Sequence, residues 1–271
     1  KNLYSGEQQR RKHANGTIFN FDDIIGESDE IKQTIKIAKK FARSLSPVII
    51  QGETGTGKEL FAQSIHNYSS RANGPFVAVN CAAIPESLLE GILFGTCKGA
   101  FTGAEDKRGL FEEASEGTLF LDEINSMSML LQTKLLRVLQ NKTVRRLGGN
   151  KEIRVNPRII SATNVDPIES IAKNQLRNDL YYRLAVATLV IPPLRNRLDD
   201  IPLLAKYFIE KNSKIMGKNI KHISDEVFEI FNKYNWPGNV RELEHVIEHA
   251  INMADSTDTK LGIQHLPPHL R

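Results

Sequence analysis

Short apolar segments alternate with helical segments along the middle of this chain, and that order restricts the folds open to it. Several of the apolar segments lack the alternation typical of a strand with one wet face. The five apolar segments are Val48–Gln51, Phe76–Asn80, Thr118–Asp122, Arg158–Asn164 and Ala187–Ile191. Helices are predicted between them at Glu59–Asn67, Ile84–Leu93, Leu130–Gln140 and Pro167–Ala172. The order predicts an α/β fold with helices on both faces of a parallel sheet.

The character of the chain changes after Pro192 and Pro193. From there the sequence predicts three helices with no strand between them, at Asp199–Lys214, Ser224–Lys233 and Asn239–Met253. Residues 1–17 are polar and basic without apolar periodicity, as is typical of a linker. We therefore expect a linker over 1–17, an α/β domain over 18–193 and a small all-helical subdomain over 194–271.

Composition excludes several classes of protein. The 36 Lys and Arg against 32 Asp and Glu leave a net charge of +4, too small for the basic footprint of a nucleic-acid binder. Two cysteines exclude a disulfide scaffold and a Cys-rich zinc site, and they fit a reducing cytoplasm. No apolar run approaches the roughly 18–20 residues that span a bilayer, so we expect a cytoplasmic protein that does not enter membranes.

A glycine-rich loop follows the first predicted strand and precedes a predicted helix. Its residues are Gly52, Glu53, Thr54, Gly55, Thr56, Gly57, Lys58 and Glu59. Glycines let backbone N–H groups turn inward around phosphate oxygens, and the helix start adds positive potential. Lys58 can reach the β- and γ-phosphates as a point charge. The loop therefore predicts nucleotide binding in preference to a plain turn, although Glu59 replaces the usual magnesium-binding hydroxyl.

Two further predicted strands end in polar residues. Asp122 and Glu123 close an apolar strand, where Asp122 would hold magnesium and Glu123 would polarise an attacking water. Thr163 and Asn164 close the next strand. Asn164 either contacts the γ-phosphate or the water, or simply forms a local turn, and the sequence favours neither.

A hexapeptide, Gly99-Ala100-Phe101-Thr102-Gly103-Ala104, identifies a family resemblance. GAFTGA is the hallmark of bacterial enhancer-binding proteins, the AAA+ activators of sigma-54 RNA polymerase. The chain also resembles that family in the segments GTLFLDEI (117–124), QTKLLRVLQ (132–140), DLYYRL (179–184) and WPGNVREL (236–243). The resemblance extends from about Phe21 to Arg271 and implies a P-loop AAA+ sheet with a C-terminal helical lid.

The resemblance assigns nucleotide roles. Lys58 looks like the Walker A lysine, and Asp122 and Glu123 look like the Walker B pair, which implies an ATPase that uses ATP and Mg²⁺. In this family a glutamate commonly follows the Walker A lysine, so Glu59 fits. Asn80 resembles the residue that holds the Walker B glutamate inactive, although a strand cap explains it equally simply. Thr163 and Asn164 fall at sensor I.

Other roles implied by the resemblance reach beyond one subunit. Arg177 and Arg183 match two candidate arginine fingers for a neighbour's nucleotide, which implies a ring, with a hexamer expected. A surface salt bridge is the plainer explanation of Arg183. Arg241 resembles sensor II, and Ile25 lies in a segment that resembles the one beside adenine.

The GAFTGA loop implies a protein partner. Gly99 and Gly103 permit a sharp, mobile loop, and Phe101 presents an apolar group at its tip. The resemblance names sigma-54 holoenzyme as that partner. Gly91, Ile92, Thr96 and Cys97 replace residues common before this loop, so its usual salt bridges are in question. Ile92, Thr96 and Asn125 resemble those of activators of arginine catabolism in Gram-positive bacteria.

Three functional classes remain open on the sequence alone. The first is a mechanochemical ATPase that remodels sigma-54 holoenzyme. The second is another AAA+ remodeller, such as an unfoldase or helicase, against which GAFTGA argues. The third is a nucleotide-gated binding module that scarcely hydrolyses ATP. Family members usually carry an N-terminal sensory domain and a C-terminal helix-turn-helix; neither is in this sequence, so we expect DNA binding to belong to that absent helix-turn-helix.

Overall fold

A computed structural model of the protein describes residues 14–271, and these form two compact units. The first, here the sheet unit, contains the residues up to Asp23 together with Ile37–Gln51 and Glu59–Leu189. The second, here the helical unit, contains Ile24–Lys36, Gly52–Lys58 and Val190–Arg271. The helical unit therefore takes in the glycine-rich loop in addition to the predicted C-terminal subdomain.

The predicted elements are present with nearly the predicted bounds. The α-helices described are α1 (Asp29–Ala42), α2 (Lys58–Asn67), α3 (Glu86–Phe94), α4 (Leu110–Glu113), α5 (Met129–Asn141), α6 (Pro167–Ala172), α7 (Asn178–Leu184), α8 (Ile201–Met216), α9 (Asp225–Lys233) and α10 (Asn239–Met253). The strands are β1 (Val48–Gln51), β2 (Phe76–Asn80), β3 (Gly95–Thr96), β4 (Lys107–Arg108), β5 (Thr118–Asp122), β6 (Thr143–Val144), β7 (Ile153–Arg154), β8 (Arg158–Thr163), β9 (Ala187–Val190), β10 (His222–Ile223) and β11 (Lys260–Leu261). The five strands and seven helices predicted from the sequence are confirmed, with ends displaced by at most two residues.

The sheet unit is organised around one five-stranded sheet. Its strand order is β2-β5-β8-β1-β9. The pairings β2–β5, β5–β8 and β8–β1 are parallel, which confirms the predicted α/β class. All six residues of β8 and the first four of β5 are buried. These strands therefore need cover on both faces, which explains their unbroken apolar sequence.

The sheet unit also includes the end of the predicted N-terminal linker. Residues 1–13 lie outside the described part of the chain. Thr17 is fully buried, and its hydroxyl and the Asn15 amide both bond to the Asn67 side chain. Asn15 and Thr17 are thus bonded to α2, so these residues of the predicted 1–17 linker belong to the folded sheet unit.

The helical unit has its own core, built around α8, α9 and α10. The single tryptophan, Trp236, is fully buried there, and its indole Nε1 donates to the Phe231 carbonyl at 2.8 Å. Trp236 therefore packs the turn that precedes α10. The prediction of no strand between these helices was wrong, because β10 lies between α8 and α9 and pairs in parallel with β11. The pair is only two residues long, too short to leave a periodic pattern.

One buried carboxylate organises the start of the helical unit. Asp200 is fully buried and accepts from the backbone N–H groups of Glu27 and Ser28 at 2.6 and 2.8 Å. It also accepts from the Ser28 hydroxyl at 2.9 Å and lies 3.8 Å from the buried Arg197 guanidinium. Removing such a carboxylate leaves three donors and a buried cation without their partner.

We predict that Asp200→Ala lowers the free energy of unfolding of the helical unit by about 3–5 kcal/mol, because the buried charge of Arg197 becomes uncompensated. Trp236 fluorescence during urea unfolding reports on this core directly. Asp199→Ala is the matched control, since Asp199 is the exposed neighbour of Asp200, and its change should stay within about 0.5 kcal/mol. Equal unfolding curves for the two variants would contradict the role assigned to Asp200.

Candidate functional site

The glycine-rich loop has the backbone conformation that its sequence predicts. It begins directly after β1, and α2 begins at Lys58. Gly55 and Gly57 have φ of 81° and 95°, in the left-handed region that disfavours side chains. A Cβ on Gly55 would also lie 2.1 Å from the Gly238 carbonyl oxygen. Glycine is therefore required at position 55 by both conformation and space.

The loop is held by backbone and side-chain bonds within the helical unit. The Asn239 amide donates to the Thr54 carbonyl at 3.0 Å, and the Val240 N–H donates to the Gly55 carbonyl at 3.2 Å. Asn239 is fully buried, and its side-chain oxygen accepts from the Leu194 N–H at 2.7 Å. These bonds join two segments that are distant in sequence to the carbonyls of the loop. Asn239 has no role predicted from its sequence context.

Glu53 connects the same loop to an arginine. The Arg195 guanidinium donates to both Glu53 carboxylate oxygens, at 2.8 and 2.5 Å, and the Asn239 amide donates to one of them at 3.2 Å. The paired Arg195 holds the pKa of the Glu53 carboxyl below its usual value. Arg195 lies two residues after Pro193, and nothing in the local sequence indicates its partner.

Lys58 lies at the end of the loop and is 8% exposed. Its ammonium group donates to the carbonyls of Gly52 and Glu53 at 2.7 and 3.1 Å. The Thr56 hydroxyl donates to the same Glu53 carbonyl at 2.7 Å. A buried ammonium enclosed by the loop is well placed to bind phosphate oxygens, because desolvation strengthens its interaction with an anion. In the sheet unit, the Glu59 carboxylate accepts from Gln63 at 3.0 Å.

The predicted polar residues of the sheet unit meet at one edge of the sheet. Asn80 and Asp122 are register partners at the carboxyl ends of β2 and β5, and the Asn80 amide donates to Asp122 at 3.5 Å. The Asn80 oxygen accepts from the N–H groups of Ala82 and Ala83. Asn80 therefore contacts Asp122 and caps the end of its own strand. Its predicted role of holding Glu123 in an inactive position stays a prediction.

Glu123 has an unusual backbone conformation. Its φ of 52° and ψ of 50° lie in the left-handed region, which a non-glycine residue adopts at an energetic cost. Its N–H donates to the Asp122 carboxylate at 3.0 Å. Strain of this kind is concentrated at functional sites, because only a supporting structure maintains it.

The end of β8 brings a third polar group to the same edge. The Thr163 hydroxyl lies 3.1 Å from the Asn125 side-chain oxygen and 2.9 Å from the Val165 carbonyl, and its single proton is shared between these two acceptors. The Asn164 side-chain oxygen is buried and has no hydrogen-bond partner among residues 14–271. An unpaired buried acceptor is unfavourable unless a donor reaches it, which favours the ligand-contact interpretation of Asn164 over a self-satisfied turn.

Cys81 lies next to these carboxylates but is inert. It is buried in the core of the sheet unit. Burial raises the pKa of its thiol to about 12, and the negative charges of Asp122 and Glu123 add to the effect. The reactive thiolate is therefore absent at neutral pH.

The GAFTGA segment forms the tip of a hairpin whose base is β3 paired antiparallel with β4. Gly99 and Gly103 have φ of 85° and 83°, and Phe101 is 53% exposed. At the base, the Thr96 hydroxyl donates to the Glu105 carbonyl at 2.6 Å. The Lys98 N–H donates to the Asp106 carboxylate at 3.0 Å. Thr96, one of the departures noted above, thus takes part in holding the loop base.

The predicted arginines occupy different environments. In the sheet unit, Arg177 donates to both Asp179 carboxylate oxygens at 3.0 and 2.7 Å, and this pairing raises its pKa. Arg183 donates to the Leu139 carbonyl at 3.0 Å. In the helical unit, Arg241 is exposed and its Cβ lies near Gly55, and Ile25 packs against the core. The roles predicted for these four residues stay predictions.

Two protein families match almost the whole of the described chain. A model of the sigma-54 interaction domain matches residues 24–190, and a model of the AAA+ ATPase lid domain matches residues 195–271. The chain belongs to the sigma-54 interaction domain family. This confirms the AAA+ fold and the helical lid expected from the resemblance, with the lid beginning at residue 195 where the sequence predicted 194.

Relatives of this sigma-54 interaction domain are transcriptional regulators. It is 55% identical to the transcriptional activator RocR of Bacillus subtilis over 255 residues, which cover 94% of this chain and 55% of RocR. It is 47% identical to the regulatory protein AtoC of Escherichia coli over 259 residues, 95% of this chain and 56% of AtoC. The chain thus spans about half the length of these relatives. The finer resemblance to activators of arginine catabolism stays a prediction.

Solved structures of NtrX from Brucella abortus share the fold. The structure of NtrX in complex with ATP superposes with a TM-score of 0.85 at 35% identity, covering 92% of this chain and 57% of NtrX. The complex with ADP gives a TM-score of 0.83 at 34% identity. In this sigma-54 interaction domain, no helix within residues 14–271 has the length and apolar character needed to cross a membrane.

Proposed function

We propose that this chain hydrolyses ATP and uses the energy to remodel sigma-54 RNA polymerase holoenzyme, with which it makes contact through the GAFTGA loop. The observation that carries the proposal is the edge of the sheet, where Asn80, Asp122, the strained Glu123 and the unpaired Asn164 oxygen lie at the carboxyl ends of neighbouring strands. Ligands bind at that edge in open parallel sheets. The ATP and ADP complexes of NtrX support the choice of nucleotide.

The phosphate loop would bind the triphosphate. Its left-handed glycines turn backbone N–H groups toward an anion, and the buried Lys58 ammonium would exchange its bonds with the Gly52 and Glu53 carbonyls for bonds to phosphate oxygens. Glu53, paired with Arg195 and Asn239, keeps the loop shaped before the nucleotide arrives. Such preorganisation lowers the entropic cost of binding. Arg241 and Ile25 would add contacts to phosphate and base.

Mg²⁺ fits the donor set. Within residues 14–271 no three His, Cys, Asp or Glu side chains are grouped as a complete protein cage for a metal ion. Mg²⁺ is commonly bound by one or two carboxylates with the rest of its ligands from phosphate and water. Asp122 would supply that carboxylate, and the ion would neutralise charge on the phosphates. Glu123 would accept a proton from the attacking water, and Asn164 would orient that water or the γ-phosphate.

Hydrolysis would need a second copy of the chain. Arg177 and Arg183 are proposed to reach a neighbour's γ-phosphate in a ring, most simply a hexamer. Arg177 is bound to Asp179 within its own chain, so it would exchange one anionic partner for another. A guanidinium fork suits either partner, since carboxylate and phosphoryl oxygens present similar acceptor pairs.

Phe101 provides the contact with sigma-54 in this proposal. An aromatic side chain half exposed at a loop tip presents apolar surface that a protein partner can bury. Its hairpin lies between β2 and β5 in the chain. Both strands end at the sheet edge that would contact the nucleotide, so changes there could be transmitted to the loop.

We predict that Glu123→Gln retains ATP binding but lowers turnover by about 10²–10⁴-fold, because the amide does not accept the proton of the attacking water. Phosphate release measures turnover, and a fluorescent ATP analogue measures binding. Glu152→Gln, an exposed carboxylate elsewhere in the sheet unit, serves as the control. Normal turnover in Glu123→Gln would remove Glu123 from the mechanism. Negligible turnover in wild type would favour the nucleotide-gated binding module.

We predict that specific ATPase activity rises with protein concentration and that Arg177→Ala lowers the plateau by about 10³-fold or more, as expected for a shared arginine finger. Arg145→Ala is the matched control, because Arg145 also makes an exposed ion pair, with Glu152. Activity that is independent of concentration and survives Arg177→Ala would show that each chain hydrolyses alone.

We predict that Phe101→Ala keeps ATPase activity within about twofold of wild type and loses binding to sigma-54 holoenzyme, because truncating an interface aromatic typically costs about 2 kcal/mol or more. Gel-shift or sedimentation in the presence of a transition-state analogue of ATP measures the binding. Ile215→Ala removes a comparably exposed apolar side chain in α8 and should bind normally. Undiminished binding by Phe101→Ala would refute the contact.

A further inference from the structure

The sheet unit contains a cavity that the proposed activity does not use. It has a volume of about 470 Å³, within the usual range for small-molecule sites. Buried apolar side chains line it, among them Phe111, Val138 and Ile159. Leu45 and Val186, which also line it, are exposed. The cavity is open to solvent at one end and apolar within.

Cationic side chains also line this cavity. They are Arg71, Lys142, Arg158 and Arg183, and none of the described residues that line it is acidic. The Arg71 guanidinium is mostly buried, donates to the carbonyls of Gly117 and Asn156, and has an acidic neighbour only at 3.9 Å, in the exposed Glu116. Cations that line an apolar cavity without matching carboxylates favour an anionic occupant.

Arg158 is the most constrained of these cations. It stands at the first position of β8 and is 2% exposed. Its terminal nitrogens donate to the Phe41 and Ala42 carbonyls, at 2.8 and 3.4 Å. Its Nε is buried and has no hydrogen-bond partner in the described part of the chain. Burial, together with the nearby charge of Arg71, lowers its pKa to about 10. A bound anion would compensate this charge.

We propose that this cavity binds a small organic anion with an apolar body, such as a carboxylate that carries an alkyl or aryl tail. The apolar wall buries the tail, and the guanidinium groups of Arg71, Arg158 and Arg183 bind the head group. Guanidinium groups suit a carboxylate because each presents parallel N–H donors to its two oxygens. Most of the lining is apolar, so a bare inorganic anion would leave the larger part of the cavity without a complementary surface.

One consequence rests on the proposed function. Arg183 lines the cavity and is also a proposed arginine finger. A head group bound to Arg183 would withhold it from the neighbour's nucleotide. The ligand would therefore inhibit ATP hydrolysis, which makes the cavity a site of regulation.

Octanoate is a suitable probe. Octanamide, which has the same alkyl tail but no charge, and acetate, which has the carboxylate but no long tail, serve as controls. Titration calorimetry without nucleotide, below the micelle concentration, should show one octanoate per chain. We expect octanamide and acetate each to bind at least about tenfold more weakly than octanoate. Octanamide lacks the charge-assisted hydrogen bonds of the carboxylate, and acetate lacks the buried apolar tail. Arg71→Gln should weaken octanoate binding by about tenfold.

Two variants separate the site from general effects on folding. Val186→Trp narrows the exposed mouth of the cavity without changing its cations, so it should abolish binding and keep the wild-type melting curve. Arg145→Gln removes the same charge at an exposed position outside the cavity lining and should bind octanoate normally. The proposal is overturned if octanoate does not bind, if octanamide binds equally well, or if both Arg71→Gln and Val186→Trp bind like wild type.

The regulatory consequence is tested separately by phosphate release. Octanoate should lower ATP turnover in wild type and leave Val186→Trp unaffected. Binding without inhibition would overturn the connection to Arg183 and leave the site standing. Absence of ATPase activity in every variant would count against the proposed function, while the calorimetry would still decide on the cavity.

Discussion

The pairing of β5 with β2 on one side and β8 on the other is the constraint on which the sheet unit depends. A strand with paired neighbours on both edges and apolar side chains on both faces has no contact with water along its length. Polar groups are therefore confined to its ends, and at the carboxyl end Asp122 is fixed beside Asn80 by the register of the two strands. The chemistry of the site follows from this pairing because the backbone ladder sets the separation of the groups before any side chain adjusts.

The GAFTGA hairpin shows how a loop can be anchored at its base and left free at its tip. Departures from the family pattern at Thr96 and Cys97 raised the question of what holds it. The Thr96 hydroxyl and the backbone N–H groups of Cys97 and Lys98 make the bonds at the base, to Glu105, Leu147 and Asp106. A neutral hydrogen bond at position 96 is less sensitive to salt than an ion pair would be.

Much of the fold was predictable because burial on both faces makes a strand an unbroken apolar run, and burial on one face gives a helix an apolar period of about 3.6 residues. The strands β1, β2 and β5 were placed with the correct ends, since each is an apolar run that follows a proline or a glycine and ends in a polar residue. The site residues were predictable for the same reason, as they follow strand ends. The strand pair β10–β11, two residues long, was missed because it leaves no period.

The side-chain network of the phosphate loop could not be predicted from local sequence. Glu53 and Asn239 are 186 positions apart, and nothing in either neighbourhood indicates the other. The partner of Arg195 was equally unpredictable, because the preceding Pro192 and Pro193 indicate only the boundary between the α/β domain and the helical subdomain. Such pairings are decided by tertiary packing, which a periodic pattern does not encode.

The bonds that hold Thr54 and Gly55 have a consequence for how this domain can be divided. In the sequence, the strand, the glycine-rich loop and the helix form one contiguous motif, which suggests that the motif could be transferred alone into another sheet. In the folded chain, the carbonyls of that loop are satisfied by Asn239 and Val240, and its acidic residue by Arg195. A fragment that ends before residue 194 would keep all residues of the motif. It would lose Arg195, Asn239 and Val240, whose hydrogen bonds hold the loop in its conformation. The residues that shape the nucleotide-binding loop are thus discontinuous in the sequence. A chimaera of two homologous domains should therefore fold correctly here only if the loop and the segments at 194–195 and 238–240 come from the same homologue.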